Sequence, residues 1–346
     1  MPQMPDLPAT RRTALARALV LGAAFTMCLT TTPASAAASD VVATTATTAT
    51  ATATANAPAD EALLGDTRVH DPSLWIEQGR WFVFHTGEGL QRLSSEDGRT
   101  WRRLAPVFAA GQEPHWWGEL VPAHKGRDVW APKLFKLGHR YLTLYSISTF
   151  GKNVSAIGLA SADAPDAAEW RDEGPVVRSQ AGDHFNAIDP DLMVAADGRL
   201  WMSYGSFWRG IQLTELDRQT LRPIGPTRTV AAHEGGIEAP TLVQRGGWTW
   251  LFVSWDFCCR GVESTYNIRV GRARSPEGPF LDREGRDLAA GGGTLVEAGG
   301  RRWKGPGHQD VFGDWLVRHA YDVHDNGLPH LRVSRLVWGE DGWPGI

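Results

Sequence analysis

Asp189-Pro190-Asp191-Leu192-Met193, followed beyond Gly198 by Leu200-Trp201-Met202-Ser203-Tyr204, carries the pattern that decides the fold. An Xaa-Pro step opens a short apolar run, a glycine turns the chain, and a second run alternates apolar with small or polar residues. The same sentence is written upstream and downstream. Asp71-Pro72-Ser73-Leu74-Trp75 leads through Gly79 to Trp81-Phe82-Val83-Phe84-His85, and Ala131-Pro132-Lys133-Leu134-Phe135 leads through Gly138 to Tyr141-Leu142-Thr143-Leu144-Tyr145. Ala239-Pro240-Thr241-Leu242-Val243 leads through Gly247 to Trp248-Thr249-Trp250-Leu251-Phe252, and a weaker copy runs from His308 through Gly313 to Trp315-Leu316-Val317. Period-two runs with glycine turns are antiparallel strands. The starting prolines Pro72, Pro132, Pro190 and Pro240 are 60, 58 and 50 residues apart, and several strands per unit at such a period mark the blades of a propeller. Later pairs within the units, such as Ile157-Gly158-Leu159 and Val270-Gly271-Arg272, bring each to four strands. The expected fold is all-β, a five-bladed β-propeller closed into a ring. A β-sandwich would have no need of Xaa-Pro at one phase four times.

The remaining composition agrees. All 16 Trp and all 5 Tyr lie from Trp75 onward, so only that part can build a core. The 38 Gly and 21 Pro speak for many turns and against long helices, and three Cys are too few for a disulfide scaffold. A net charge of −4 argues against a nucleic-acid partner. Residues 1–36 read as a secretory signal: Arg11, Arg12 and Arg17, then apolar Ala18 to Phe25, then Ala34-Ser35-Ala36. The Arg11-Arg12 pair is compatible with the twin-arginine route. The apolar run is too short to remain as a membrane anchor, and Cys28 leaves with the signal. Residues 37–60, almost wholly Ala, Thr and Val, read as a disordered linker. The expected product is a secreted, monomeric, extracellular protein whose catalytic domain spans 61–346.

The first strand of each propeller blade faces the central channel, so residues at the strand starts converge. That brings together Asp71, Asp189 and Glu238. Any single Asp-Pro commonly just opens a turn, but three buried acids raise one another's pKa and need a proton, a cation or a polar substrate. Glycoside hydrolysis needs one carboxyl kept protonated and another kept ionised. Indoles suit the apolar faces of sugar rings; Trp116-Trp117, Trp130 and Ser206-Phe207-Trp208 are the aromatic candidates, and two adjacent tryptophans on one strand cannot both face inward. His308 also opens into the channel. Cys258 and Cys259 lack zinc spacing and are either free thiols or a vicinal disulfide.

With these residues in view, the chain resembles the endo-1,5-α-L-arabinanases of glycoside hydrolase family 43. The motifs are Val69-His70-Asp71-Pro72, Val129-Trp130-Ala131-Pro132, Phe150-Gly151-Lys152-Asn153, Asn186-Ala187-Ile188-Asp189-Pro190, Gly205-Ser206-Phe207-Trp208, Ile237-Glu238-Ala239-Pro240 and Cys258-Cys259-Arg260. The resemblance implies inversion at the anomeric carbon, with Asp71 as general base, Glu238 as general acid and Asp189 as modulator of the acid's pKa. It places substrate on Asp71, Gly151, Asn186, Ala187, Ile188, Asp189, Ser206, Phe207, Trp208 and Trp130. It puts a cation, usually calcium with waters, beside His308. The implied substrate is arabinan, the polysaccharide of pectin side chains. An exo-acting arabinofuranosidase or a β-xylosidase on the same fold is the alternative, and a noncatalytic sugar-binding propeller the reading from another class. Two departures stand out: Lys133 where relatives carry Asp, and a short passage from His308 to Gly313.

Overall fold

The computed structural model describes residues 62–346, so the signal and linker expectations for residues 1–60 lie outside the described residues. The chain folds into a five-bladed β-propeller. The innermost strands of the blades are Ser73–Glu77, Asp128–Leu137, Asp191–Val194, Ile237–Arg245 and Trp303–Phe312. Each touches the next around the ring, and the fifth returns to the first. Within each blade the strands follow in antiparallel order outward, for example Ile237–Arg245, Trp248–Trp255, Asn267–Ala273 and Thr294–Glu297 in blade 4.

The alternating pattern is explained by where the apolar faces go. Five separate buried clusters fill the five gaps between neighbouring blades. Phe84, Leu134 and Tyr145 lie between blades 1 and 2. Leu144, Leu192 and Met202 join blades 2 and 3; Trp201, Leu213, Leu251 and Val253 join blades 3 and 4. Trp250, Phe252 and Leu316 join 4 and 5, while Trp81, Trp101 and Trp315 join 5 and 1. Burying one such side chain contributes about 1.5–3 kcal/mol, so the core is distributed between blades and the channel is left free for polar groups.

Blade 5 differs from the four-stranded expectation. Its own sheet has three strands, Trp303–Phe312, Trp315–Asp322 and Leu328–Arg335. The N-terminal segment supplies the missing edge: Leu331 N donates to Thr67 O at 2.8 Å and Val69 N to Pro329 O at 3.3 Å. The ring is therefore closed by the residues that immediately precede Asp71. Trp116 and Trp117 also depart from expectation. They lie on a short helix, Trp116–Leu120, where Trp117 is buried and Trp116 stacks on Tyr145, so the pair belongs to the core of blades 1 and 2. Among the described residues no helix is long and apolar enough to cross a membrane.

At the head of each innermost strand one non-glycine residue adopts positive φ: Asp71 (54°), Ala131 (46°), Asp189 (57°), Ala239 (53°) and His308 (48°). Such a conformation is costly, of order 1–3 kcal/mol per residue, and survives only where the surroundings fix it. Here they do. The N–H of Asp71 donates to His319 Nδ1, that of Ala131 to Thr86 Oγ1, that of Asp189 to Ser146 Oγ and that of His308 to Ser254 Oγ. Each acceptor lies in or just after the second strand of the preceding blade. The repeat phase of the Xaa-Pro steps holds, with Ala239 equivalent to Asp71 and Asp189; the grouping of Glu238 with those two aspartates is corrected, since it stands one residue before that position.

Candidate active site

In blade 4 the pattern breaks. Ala239 N donates to Asp189 Oδ2 at 3.2 Å, while Ser203, in the second strand of blade 3, is left with its buried hydroxyl unpartnered. The carboxylate of one strand head holds the next strand head, and Glu238 projects beside it. Asp71, Asp189 and Glu238 are each less than 10% exposed, at 8%, 6% and 8%.

Asp71 sits in a cage of donors. Its Oδ1 lies 2.9 Å from His70 Nδ1 and 3.1 Å from His308 Nδ1, and its Oδ2 accepts from Thr86 Oγ1 at 2.6 Å. Burial alone would raise its pKa, but the fields of His308 and His70 and the bond from His70 outweigh burial and hold the carboxyl well below the usual range. His70 shows the reciprocal effect: burial lowers it, yet Asp71 lifts it to about 10. Its Nε2 donates to the Tyr321 hydroxyl at 2.9 Å. His319, stacked on His70 with ring centroids 3.9 Å apart, accepts the Asp71 N–H on Nδ1 and is kept neutral, first by burial and then by the charge of His70.

Glu238 is biased the other way. Burial is the largest cause raising its pKa, assisted by Asp71, and hydrogen bonds oppose it: Ser206 Oγ donates to Oε2 at 2.7 Å and Tyr266 OH to Oε1 at 2.8 Å. Asp189 is also pushed well above the usual range, by burial and then by repulsion from Glu238. Two buried carboxyls that repel each other share protons as a pair. The site therefore holds one carboxyl ionised and an adjacent pair inclined to keep a proton, which is what acid and base roles require.

Ser206 and His308 are brought to this centre, bonded to Glu238 and Asp71, while Asn186 is held on the segment that leads to Asp189. Asn186 Oδ1 accepts from Ser155 Oγ at 2.7 Å, which fixes the segment leading to Asp189. Ala187 is wholly buried in the core between blades 2 and 3, and Ile188 is 7% exposed, so these two frame Asp189 from within. Gly151 lies on an exposed loop at φ 73°, beside Phe150, which is 79% exposed. Trp130 is half-buried on the innermost strand of blade 2. Phe207 packs toward Phe257, and Trp208, 46% exposed, borders a cavity of about 690 Å³ with His233, Glu234, Trp255 and Arg286. Cys258 and Cys259 are unbridged, their sulfurs 2.6 Å apart, and Cys259 N donates to Tyr321 OH at 2.7 Å.

Four residues of the site were not singled out as functional from the sequence. Thr86 and His319 share a repeated place with Ser146 and Ser254, in or just after a second strand, whereas Tyr266 and Tyr321 do not, and each of the four reaches the centre only through blade packing. Tyr266 approaches because residue 307 is glycine: a Cβ there would stand 2.1 Å from the tyrosine ring.

The protein groups beside His308 do not by themselves make a calcium site, so the oxygen ligands of the calcium that the resemblance implies would have to come from its waters. The ion takes six to eight oxygen ligands, whereas His308, His70 and His319 present nitrogen, and both oxygens of the one carboxylate among them already accept from protein groups.

The signature of glycosyl hydrolases family 43 matches residues 64–344. The chain is 43% identical over 298 residues to extracellular endo-α-(1→5)-L-arabinanase 1 of Bacillus subtilis, covering 83% of this chain and 91% of that protein. It is 38% identical over 302 residues to an extracellular exo-α-(1→5)-L-arabinofuranosidase of Cellvibrio japonicus, covering 80% and 86%. The solved structure of a family 43 endo-arabinanase from Bacillus licheniformis superposes with a TM-score of 0.79 at 46% identity, covering 82% of this chain and 99% of that one.

Proposed function

The chain belongs to glycosyl hydrolase family 43, and from that membership we propose that it is a secreted, inverting enzyme that cleaves internal α-1,5-L-arabinofuranosidic bonds of arabinan. The observation that carries the reading is the opposite bias of two carboxyls in one channel mouth, Asp71 toward the anion and Glu238 toward the acid. Asp71 accepts a proton from a water that attacks the anomeric carbon. Glu238 gives its proton to the departing glycosidic oxygen from the other face of the sugar. An inverting pair leaves room for that water, with carboxyls about 6.5–9.5 Å apart. As Glu238 becomes anionic, the donors Tyr266 and Ser206 stabilise the developing charge. Asp189 holds Ala239, the residue after the acid, and as a buried carboxyl repelled by Glu238 it forms with it a pair that retains a proton. Trp208 and Phe150 offer exposed rings to furanose faces.

The name of the Bacillus relative supports internal cleavage of arabinan, and the Cellvibrio relative keeps exo action as the second reading at lower identity. Both relatives are named extracellular, which supports export. The test is proton NMR of early products from linear arabinan: inversion yields the β-anomer first and endo action yields a ladder of oligosaccharides. An α-anomer first would remove Asp71 as direct base, and release of one product size from chain ends would favour exo action.

A further inference from the structure

Below the catalytic groups, two residues farther along each innermost strand, stand Ser73, Lys133, Asp191, Thr241 and Asp310. Lys133 is 9% exposed, and its Nζ lies 2.6 Å from Asp191 Oδ1 and 2.7 Å from Asp310 Oδ1. These three residues come from blades 2, 3 and 5, and blade 5, which neighbours neither of the others in the ring, meets them around the channel. The remaining carboxylate capacity is taken up by the protein. Asp191 Oδ2 accepts from Leu242 N at 2.7 Å; Asp310 Oδ2 accepts from Ser73 Oγ and Leu74 N, both at 2.8 Å, and its Oδ1 also from Val311 N at 2.8 Å. Every oxygen of the two acids therefore has a polar partner, Asp191 Oδ1 through its ion pair with Lys133 alone.

We propose that the ammonium of Lys133 is the built-in cation of this channel and takes the place of the divalent ion that the resemblance led us to expect near His308. Two buried carboxylates need a counter-charge, and a compact ammonium with three donors satisfies two of them without dehydrating an ion from solution. A calcium ion added at the same level would meet a like charge and no free carboxylate oxygen. Bridging three blades, the lysine also fixes the strands that carry Asp189 and His308 two residues upstream. The inference concerns the channel and stands whether cleavage is internal or terminal.

The test uses the full mature chain. After dialysis against a chelator, metal analysis of the wild type should find far less than one divalent ion per chain, and Tm should be the same in chelator and in millimolar calcium. Lys133→Asp, which leaves three acids together, should lower Tm in chelator by at least about 5 °C, and calcium should restore it in a saturable way. If the variant folds only when calcium is supplied, that is the same dependence in stronger form. A stoichiometric divalent ion in the wild type, with Tm falling on its removal, would overturn the proposal. So would a Lys133→Asp protein as stable in chelator as the wild type, or one whose lowered Tm calcium leaves unchanged, since then the ammonium and a metal ion would not be exchangeable.

Discussion

Tyr266→Phe isolates one term in the chemistry of the acid. The ring is almost wholly buried and stacks toward His319 at 5.9 Å, so phenylalanine keeps the packing and removes only the hydroxyl that donates to Glu238 Oε1 at 2.8 Å. That bond favours the anion; without it the Glu238 pKa rises above its already raised value. A hydrogen bond to a charged group contributes about 1.5–3 kcal/mol, and 1.36 kcal/mol corresponds to one pKa unit. With Ser206 still in place on Oε2, a shift of about one unit is expected. In the pH profile of kcat/KM on linear arabinan, the alkaline limb should move upward by about one unit. The plateau should fall about tenfold, because the donor that steadies the new carboxylate in the transition state is gone. Ser206→Ala should do the same through the other oxygen, and Tm shows whether the fold is intact. An alkaline limb that stays in place or moves toward acid, with a normal plateau, would show that Tyr266 does not act on the acid and that Glu238 does not set that limb.

Glu238→Gln and Asp71→Asn should each lower arabinan turnover by at least about a hundredfold, the usual span for losing a general acid or base; near-normal rates in a purified variant would remove that residue from the reaction. Asp189→Asn removes one member of the proton-sharing pair, so the last proton leaves Glu238 without a carboxylate beside it and the alkaline limb should move toward acid, opposite to Tyr266→Phe; an unmoved limb would make Asp189 a purely structural residue. His70 has its pKa raised to about 10 by Asp71, so the stability it contributes is fully present below its ordinary value near 6.5 and is lost as pH rises through about 10. Tm measured against pH should show this decline in the wild type and lose it in His70→Gln; identical curves would mean that the pair carries no net stability.

How much of this was legible before folding depends on the range of the interaction. The five-bladed fold was written in local pattern, because Xaa-Pro, a glycine turn and period-two apolar runs state where each strand begins and which face it buries. Asp71, Asp189 and His308 were legible for the same reason, since repeat phase puts them at strand heads and strand heads face the channel. Glu238 was found as an acid beside the repeat position rather than in it: Ala239-Pro240 keeps the phase, and the hydrogen bond from Ala239 to Asp189 shows how the acid next to it is held. What tertiary structure alone decided is everything carried between blades. The closure of blade 5 by residues 67–69, the donors Thr86 and Tyr266, the His70–His319 stack and the packing of half-buried Trp116 and buried Trp117 on Tyr145 join segments distant in sequence, with no spacing to announce them. Lys133 shows the difference most plainly. In the sequence it is one basic residue where an acid was expected, and in the channel it is the charge that two buried acids share, because three strands far apart along the chain arrive at the same axis.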